Sequence, residues 1–81
     1  MEVHMNQTYK VTKKARIKSQ GGRLVMPGGQ LQTITPPKIV EGADDTIMVR
    51  YQGQNREDEV ATGSKFSVKV VNLVRHGSRV D

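Results

Sequence analysis

Cysteine is absent from the 81 residues of this chain, which excludes disulfide bonds and thiolate metal ligands together. The two histidines, His4 and His76, stand near opposite ends of the sequence, so we expect no metal site and no cofactor. A chain this short buries only roughly 60% of the surface that its unfolded form exposes. Because disulfides and metals cannot reinforce so small a core, oligomerisation is the reinforcement that remains. We therefore expect a homo-oligomer or a subunit of a larger assembly.

Long hydrophobic runs are also missing. The longest uninterrupted apolar runs, such as Leu24–Met26 and Ile47–Val49, are three residues long. A membrane-spanning helix needs about 20 consecutive apolar residues. Residues 1–7 have neither the basic region nor the apolar region of a secretory signal. These features predict a cytoplasmic or virion-associated protein without a membrane partner.

Acidic residues are missing between Glu2 and Glu41, although the chain as a whole carries a net charge of +5. Lysine and arginine dominate that stretch, the sign reverses between Glu41 and Glu59, and the remaining residues are basic again. Such a segregated charge suits two roles: contact of one face with a polyanion, or packing against copies of the same chain.

Strict alternation of apolar and polar residues indicates half-buried β-strands. The clearest case is residues 9–18, where Tyr9, Val11, Ala15 and Ile17 share one parity. The other parity consists of Lys10, Thr12, Lys14, Arg16 and Lys18. Residues 46–52 alternate equally well. A last strand is predicted over residues 65–75, with a bulge or burial of both faces where its alternation fails.

Shorter strands are predicted at residues 23–26 and 30–35, between turns rich in glycine and proline. Residues 55–62 fit one short helical turn or a plain loop, since Asn55 can cap a helix and Gly63 can end one. The sequence thus predicts an all-β fold, a small single-domain barrel or sandwich of five to six short strands. The domain covers residues 1–81, of which 1–7 and 77–81 are expected as terminal arms.

The segment Leu73–Arg79 reads L-V-R-H-G-S-R and resembles the phosphate-binding signature of the histidine phosphatase superfamily. The resemblance implies a nucleophilic His76 at the tip of a strand, with Arg75 and Arg79 holding a phosphoryl group. It covers this short segment alone. The second histidine, the further arginine and the acidic proton donor that the family places after the motif have no counterpart here. We therefore interpret the segment as a strand that ends in a polar turn.

Other catalytic patterns are not found. The paired glycines lack the spacing of a phosphate-binding loop, the neighbouring carboxylates lack that of a calcium loop, and no serine occupies a nucleophile elbow. We therefore predict no enzyme activity, no catalytic residue and no small-molecule substrate.

The basic parity of the first strand is one candidate site, with the contacts Lys10, Lys13, Lys14, Arg16, Lys18 and Arg23. Alternate side chains on a strand are roughly 6.7 Å apart, which is comparable with the phosphate spacing of an extended nucleic-acid backbone. Tyr9, Tyr51 and Phe66 all have inward parity, so base stacking is not expected and binding would be independent of sequence. A solvated lysine face that protects an edge strand is the alternative interpretation.

Self-association is the other candidate role. The acidic segment of one copy would meet the basic face of the next, with Asp44, Asp45, Met26 and Met48 as candidate contacts. The sequence favours a non-enzymatic structural protein, a small β module of a homo-oligomer or larger particle such as a virion or phage accessory component. The alternative is a small β-barrel that binds nucleic acid independently of sequence.

Overall fold

The computed structural model describes residues 2–80 and contains seven strands and two short helices in that range. The elements are β1 Thr8–Val11, β2 Ala15–Ile17, a 3-10 helix Lys18–Gln20, β3 Arg23–Val25, β4 Gln30–Thr33, β5 Thr46–Gln52, β6 Lys65–Lys69, α1 Val70–His76 and β7 Gly77–Arg79. Five strands form an antiparallel sheet in the order β6-β5-β4-β1-β7, and β2 pairs with β3 in a separate hairpin.

The predicted all-β character is confirmed, with seven strands where five to six were predicted. The five-stranded sheet is open, so of the two predicted architectures, barrel or sandwich, the barrel is wrong. Register places Tyr9 opposite Leu31, Leu31 opposite Tyr51, and Val49 opposite Phe66. These residues share one face of the sheet because side chains alternate along each strand. We call this apolar side the inward face. The buried apolar core consists of Val3, Tyr9, Val11, Val25, Leu31, Ile47, Val49, Tyr51, Val60, Phe66 and Leu73.

The single strand predicted over residues 9–18 is instead two strands in different sheets. β1 ends at Val11, the chain bends at Lys13, and β2 begins at Ala15. The β2-β3 hairpin folds over the inward face, where Ala15 and Ile17 pack against the core. Both halves keep the same alternation because both bury their apolar side chains in that core, so the pattern alone could not reveal the break.

The strand predicted over residues 65–75 ends at Lys69, and α1 replaces its second half. In this helix Val70, Leu73 and Val74 lie on one side, at the three- and four-residue spacing of a helical face, and pack into the core. The failed alternation that we interpreted as a bulge is therefore a change to helical periodicity. Residues 55–62 form turns without a helix. Neither helix found in residues 2–80 is long and apolar enough to cross a membrane.

The two segments expected as terminal arms both contact the sheet within the described range. β7 pairs with β1, with Arg79 opposite Tyr9. At the other end Val3 is buried in the core, and the Thr33 hydroxyl donates a hydrogen bond of 2.6 Å to the carbonyl oxygen of His4. Met1 and Asp81 lie outside the described residues.

Candidate functional site

A groove of about 610 Å³ lies between the inward face of the sheet, the β2-β3 hairpin and α1. Its floor is apolar and is formed by Val11, Val25, Leu31, Val68 and Leu73. All but Val68 are buried, as members of the core. The groove exists because the hairpin leaves the sheet at Lys13 and covers only part of the inward face.

The rim of this groove is basic. The residues with cationic or titratable side chains in its lining are Lys14, Arg16, Lys18, Lys69 and His76, and no carboxylate from residues 2–80 lines it. Three of the predicted contacts, Lys14, Arg16 and Lys18, are thus brought together at one edge, and all three are exposed. An apolar floor with a cationic rim favours a ligand that combines an apolar part with negative charge.

The other three predicted cations lie elsewhere. Lys10 projects from the opposite, outward face of the sheet, and Lys13 lies in the bend between β1 and β2. The Arg23 guanidinium donates a hydrogen bond of 2.7 Å to the carbonyl oxygen of Glu57. The row of charge predicted for one strand is therefore divided, because that strand is broken at Lys13.

An acidic loop, residues 39–45 with the sequence I-V-E-G-A-D-D, projects from the connection between β4 and β5. Two backbone hydrogen bonds of 2.7 and 3.1 Å between Lys38 and Thr46 close it. Its first two side chains are apolar yet face solvent, since Ile39 is 80% exposed and Val40 is 42% exposed. The loop thus presents an unburied apolar pair directly beside carboxylates.

The base of the acidic loop is tied to the region of the groove. The Asp44 carboxylate lies 3.4 Å from the Lys69 ammonium, and the backbone N–H of Val70 donates a hydrogen bond of 2.9 Å to the Asp45 carbonyl oxygen. Lys69 also lines the groove. The base of the acidic loop and the groove are therefore neighbours on the molecule, although the acidic loop does not line the groove of its own chain.

The predicted assembly contacts Met26 and Met48 do not form one surface with each other. Met48 lies on the outward face of β5, between the inward-facing Ile47 and Val49. Met26 follows β3 on the other side, where its backbone N–H donates a hydrogen bond of 3.0 Å to the Tyr51 hydroxyl. Met26 and Met48 therefore lie on opposite sides of the sheet. Their positions in the sequence could not indicate this, because it depends on how the strands pair.

The outward face of the sheet carries a basic surface that the sequence analysis missed. Arg50 on β5 lies directly opposite Lys65 on β6, and Lys10 lies two strands away. No strand within residues 2–80 contains an aspartate or glutamate. The outward parity of Arg50 was predictable from its alternation, but its juxtaposition with Lys65 depends on the pairing of distant strands.

A second cavity of about 350 Å³ is lined in part by Glu59, whose buried carboxylate accepts a hydrogen bond from the Tyr51 hydroxyl. Burial raises the pKa of Tyr51 to about 12, and its hydrogen bond to Glu59 adds to that shift. Burial alone would raise the pKa of Glu59, but hydrogen bonds from Tyr51 and from the backbone of Arg56 and Gln54 outweigh it and lower that pKa. At neutral pH the Tyr51 hydroxyl therefore stays protonated and the Glu59 carboxylate stays ionised. These ordinary charge states indicate a structural role for the pair.

The phosphatase-like segment does not adopt the strand that its resemblance implies. His76 is the last residue of α1, and Gly77 begins β7. Arg75 is exposed on the helix, and Arg79 lies opposite Tyr9 at the sheet edge. The Nδ1 atom of His76 is buried and has no hydrogen-bond partner among residues 2–80.

No three histidine, aspartate or glutamate side chains within residues 2–80 are grouped so that they could hold a metal ion. Comparison with known protein families, curated proteins and solved structures found no match to this chain. The groove, the acidic loop and the basic surface around Arg50 and Lys65 are therefore the candidate functional surfaces.

Proposed function

We propose that this protein is a non-enzymatic assembly module, and that it forms a homo-oligomer by placing the acidic loop of one copy in the groove of another. The observation that carries this proposal is the complementarity of the two surfaces. The loop presents the exposed Ile39 and Val40 beside the carboxylates of Glu41 and Asp45. The groove presents an apolar floor inside a rim of cations.

The apolar part of the contact supplies most of the affinity. Full burial of an isoleucine side chain contributes about 1.5–3 kcal/mol, and Ile39 has most of its surface still available. Ion pairs at an exposed rim contribute about 0–1 kcal/mol each. Their main effect is to orient the loop and to speed association, so Glu41 and Asp45 would select the direction in which the loop enters.

The position of the loop favours reciprocal exchange between two copies. Because Asp44 pairs with Lys69 at the edge of the groove, the base of the loop lies beside the groove. Two copies related by a two-fold axis can then each insert a loop into the other, which closes the assembly as a dimer. Such a dimer would stabilise a small core that has no disulfide bond to reinforce it.

The contact can be tested by measuring mass with size-exclusion chromatography and multi-angle light scattering at low and high salt. We expect the wild type to be a dimer and Ile39→Asp to be a monomer with an unchanged circular dichroism spectrum. Val71→Asp is the matched control, since Val71 is 41% exposed on α1 and lies outside both loop and groove. A monomeric wild type, or an Ile39→Asp variant as dimeric as the wild type, would overturn the proposal.

A charge exchange tests the pairing itself. One variant reverses the net charge of the groove rim with Lys14→Glu, Arg16→Glu and Lys18→Glu, and the other reverses the loop with Glu41→Lys and Asp45→Lys. We expect each variant alone to be monomeric, because loop and groove then carry like charge. An equimolar mixture should form a heterodimer, because every loop then faces a groove of opposite sign. Failure of the mixture to associate would show that these surfaces do not meet.

A further inference from the structure

We propose that the outward face of the five-stranded sheet binds the sugar-phosphate backbone of nucleic acid. The surface consists of Lys10, Gln30, Gln32, Arg50, Gln52 and Lys65, which we call the outward basic face. It lies on the side of the sheet opposite the groove floor, and the two surfaces approach each other only along β6, where Ser67 and Lys69 also line the groove. Its positions on β1, β4 and β5 therefore stay accessible when the groove is filled. The proposal does not depend on the self-association described above.

The first argument is the uncompensated charge at the centre of this face. Arg50 and Lys65 are direct cross-strand partners, and like charges in that relationship destabilise a sheet. Neither side chain takes part in an ion pair within residues 2–80. A row of phosphates would supply the missing negative charge, and it would release counterions as it bound.

The second argument is the arrangement of donors around that pair. Register places Lys10 opposite Gln30, Gln30 opposite Gln52, and Gln32 opposite Arg50. Strands are about 4.8 Å apart and alternate residues about 6.7 Å apart, which separates the Lys10 and Arg50 positions by about 12 Å. That separation is comparable with two steps along an extended phosphate backbone. The glutamine amides between the cations can donate hydrogen bonds to phosphate oxygens.

The third argument concerns the kind of recognition. Tyr9, Tyr51 and Phe66 all point into the core and are buried, so the outward basic face has no aromatic ring on which a base can stack. Base stacking is the usual source of affinity for single strands. Binding here would therefore depend on charge, would be independent of sequence and would weaken steeply with salt.

The test uses fluorescence anisotropy with a labelled oligothymidine strand and with a duplex of mixed sequence, over a salt series. The variant Arg50→Gln with Lys65→Gln should bind at least tenfold more weakly at low salt than the wild type. Its slope of log affinity against log salt should fall by about 1.4 for the single strand. Binding of either probe supports the proposal, since both present the same backbone.

The control is Lys13→Gln with Arg75→Gln, which removes the same net charge from two exposed positions outside both the groove and the outward basic face. We expect this variant to retain its affinity within about twofold. If the wild type bound neither probe, or if the control lost as much affinity as the variant, the outward basic face would not be the site. Repeating the titration in the Ile39→Asp background separates nucleic-acid binding from self-association.

Discussion

The hydroxyl of Tyr51 donates a hydrogen bond to the carboxylate of Glu59 inside the core, where the two residues are 0% and 2% exposed. The same carboxylate accepts hydrogen bonds from the backbone N–H groups of Gln54, at 3.2 Å, and Arg56, at 3.3 Å. The hydroxyl also accepts one from Met26. This network joins β5, the end of β3 and the turn before Glu59, and a fully satisfied buried network holds its members in one arrangement.

Removal of either partner should destabilise the fold. Tyr51→Phe leaves the Met26 N–H without its acceptor and removes one of the two hydrogen bonds that Glu59 Oε2 accepts. Glu59→Gln places an amide N–H where an acceptor is needed. We expect each to lower the free energy of unfolding by about 1–3 kcal/mol, as measured by urea denaturation. The control Glu57→Gln changes an exposed carboxylate nearby and should stay within about 0.5 kcal/mol. Equal effects at positions 57 and 59 would contradict the assigned role.

The same pair predicts how stability depends on pH. The pKa of Glu59 is lowered in the folded protein, so its contribution is complete above the ordinary carboxyl range and is lost as the pH falls through the folded pKa. The pKa of Tyr51 is raised from 10.0 to about 12. Its contribution is complete below pH 10 and is lost as the pH rises from about 10 towards 12. Thermal unfolding against pH should show both declines, with a weaker alkaline decline in Tyr51→Phe.

Gly29 should tolerate no side chain while the Tyr51 ring and its hydroxyl lie against it. A Cβ at Gly29 would lie 2.5 Å from the hydroxyl oxygen of Tyr51. We expect Gly29→Ala to destabilise the protein by about 1–3 kcal/mol through overpacking. In a Tyr51→Phe background the same change should cost less but still destabilise the protein, because the oxygen is gone while the ring carbons Cε1 and Cζ, at 2.8 and 2.9 Å from that Cβ, remain. Additive costs in the double-mutant cycle would contradict this account.

The helix that replaces the predicted strand depends on one buried side chain. Leu73 is buried in the core, whereas Val71 on the same helix is exposed. We expect Leu73→Ala to lower the free energy of unfolding by about 2–5 kcal/mol and to speed hydrogen exchange in residues 70–76. Val71→Ala should change stability by less than about 0.5 kcal/mol. A similar loss in both variants would mean that α1 is not anchored through Leu73.

Local pattern predicted those elements in which burial follows the strand period. Residues 46–52 form β5 as predicted, with Ile47, Val49 and Tyr51 buried. The pattern was misleading at Lys13 and at Lys69. At both places the chain changes direction, yet the apolar residues that follow still pack against the core. Alternation reports which side chains are buried, and it does not report which sheet buries them.

The candidate surfaces were predictable to different degrees for the same reason. Exposure of Lys14, Arg16 and Lys18 followed from parity, but their position on a groove rim follows from the fold-back of the hairpin. The pairing of Arg50 with Lys65 was out of reach because register joins segments that are distant in the chain. The exposed Ile39 gave no signal at all, since a short apolar pair in a loop resembles the start of a strand.

The sequence by itself determined the β-rich character, the identity of most core residues and the separation of acidic from basic segments, because composition and period are local properties. Tertiary structure alone decided that the sheet stays open, that residues 70–76 form a helix, and that cations meet across β5 and β6. These outcomes depend on contacts between distant segments, whose free energy is a property of the packed core and cannot be assigned to any one stretch of chain.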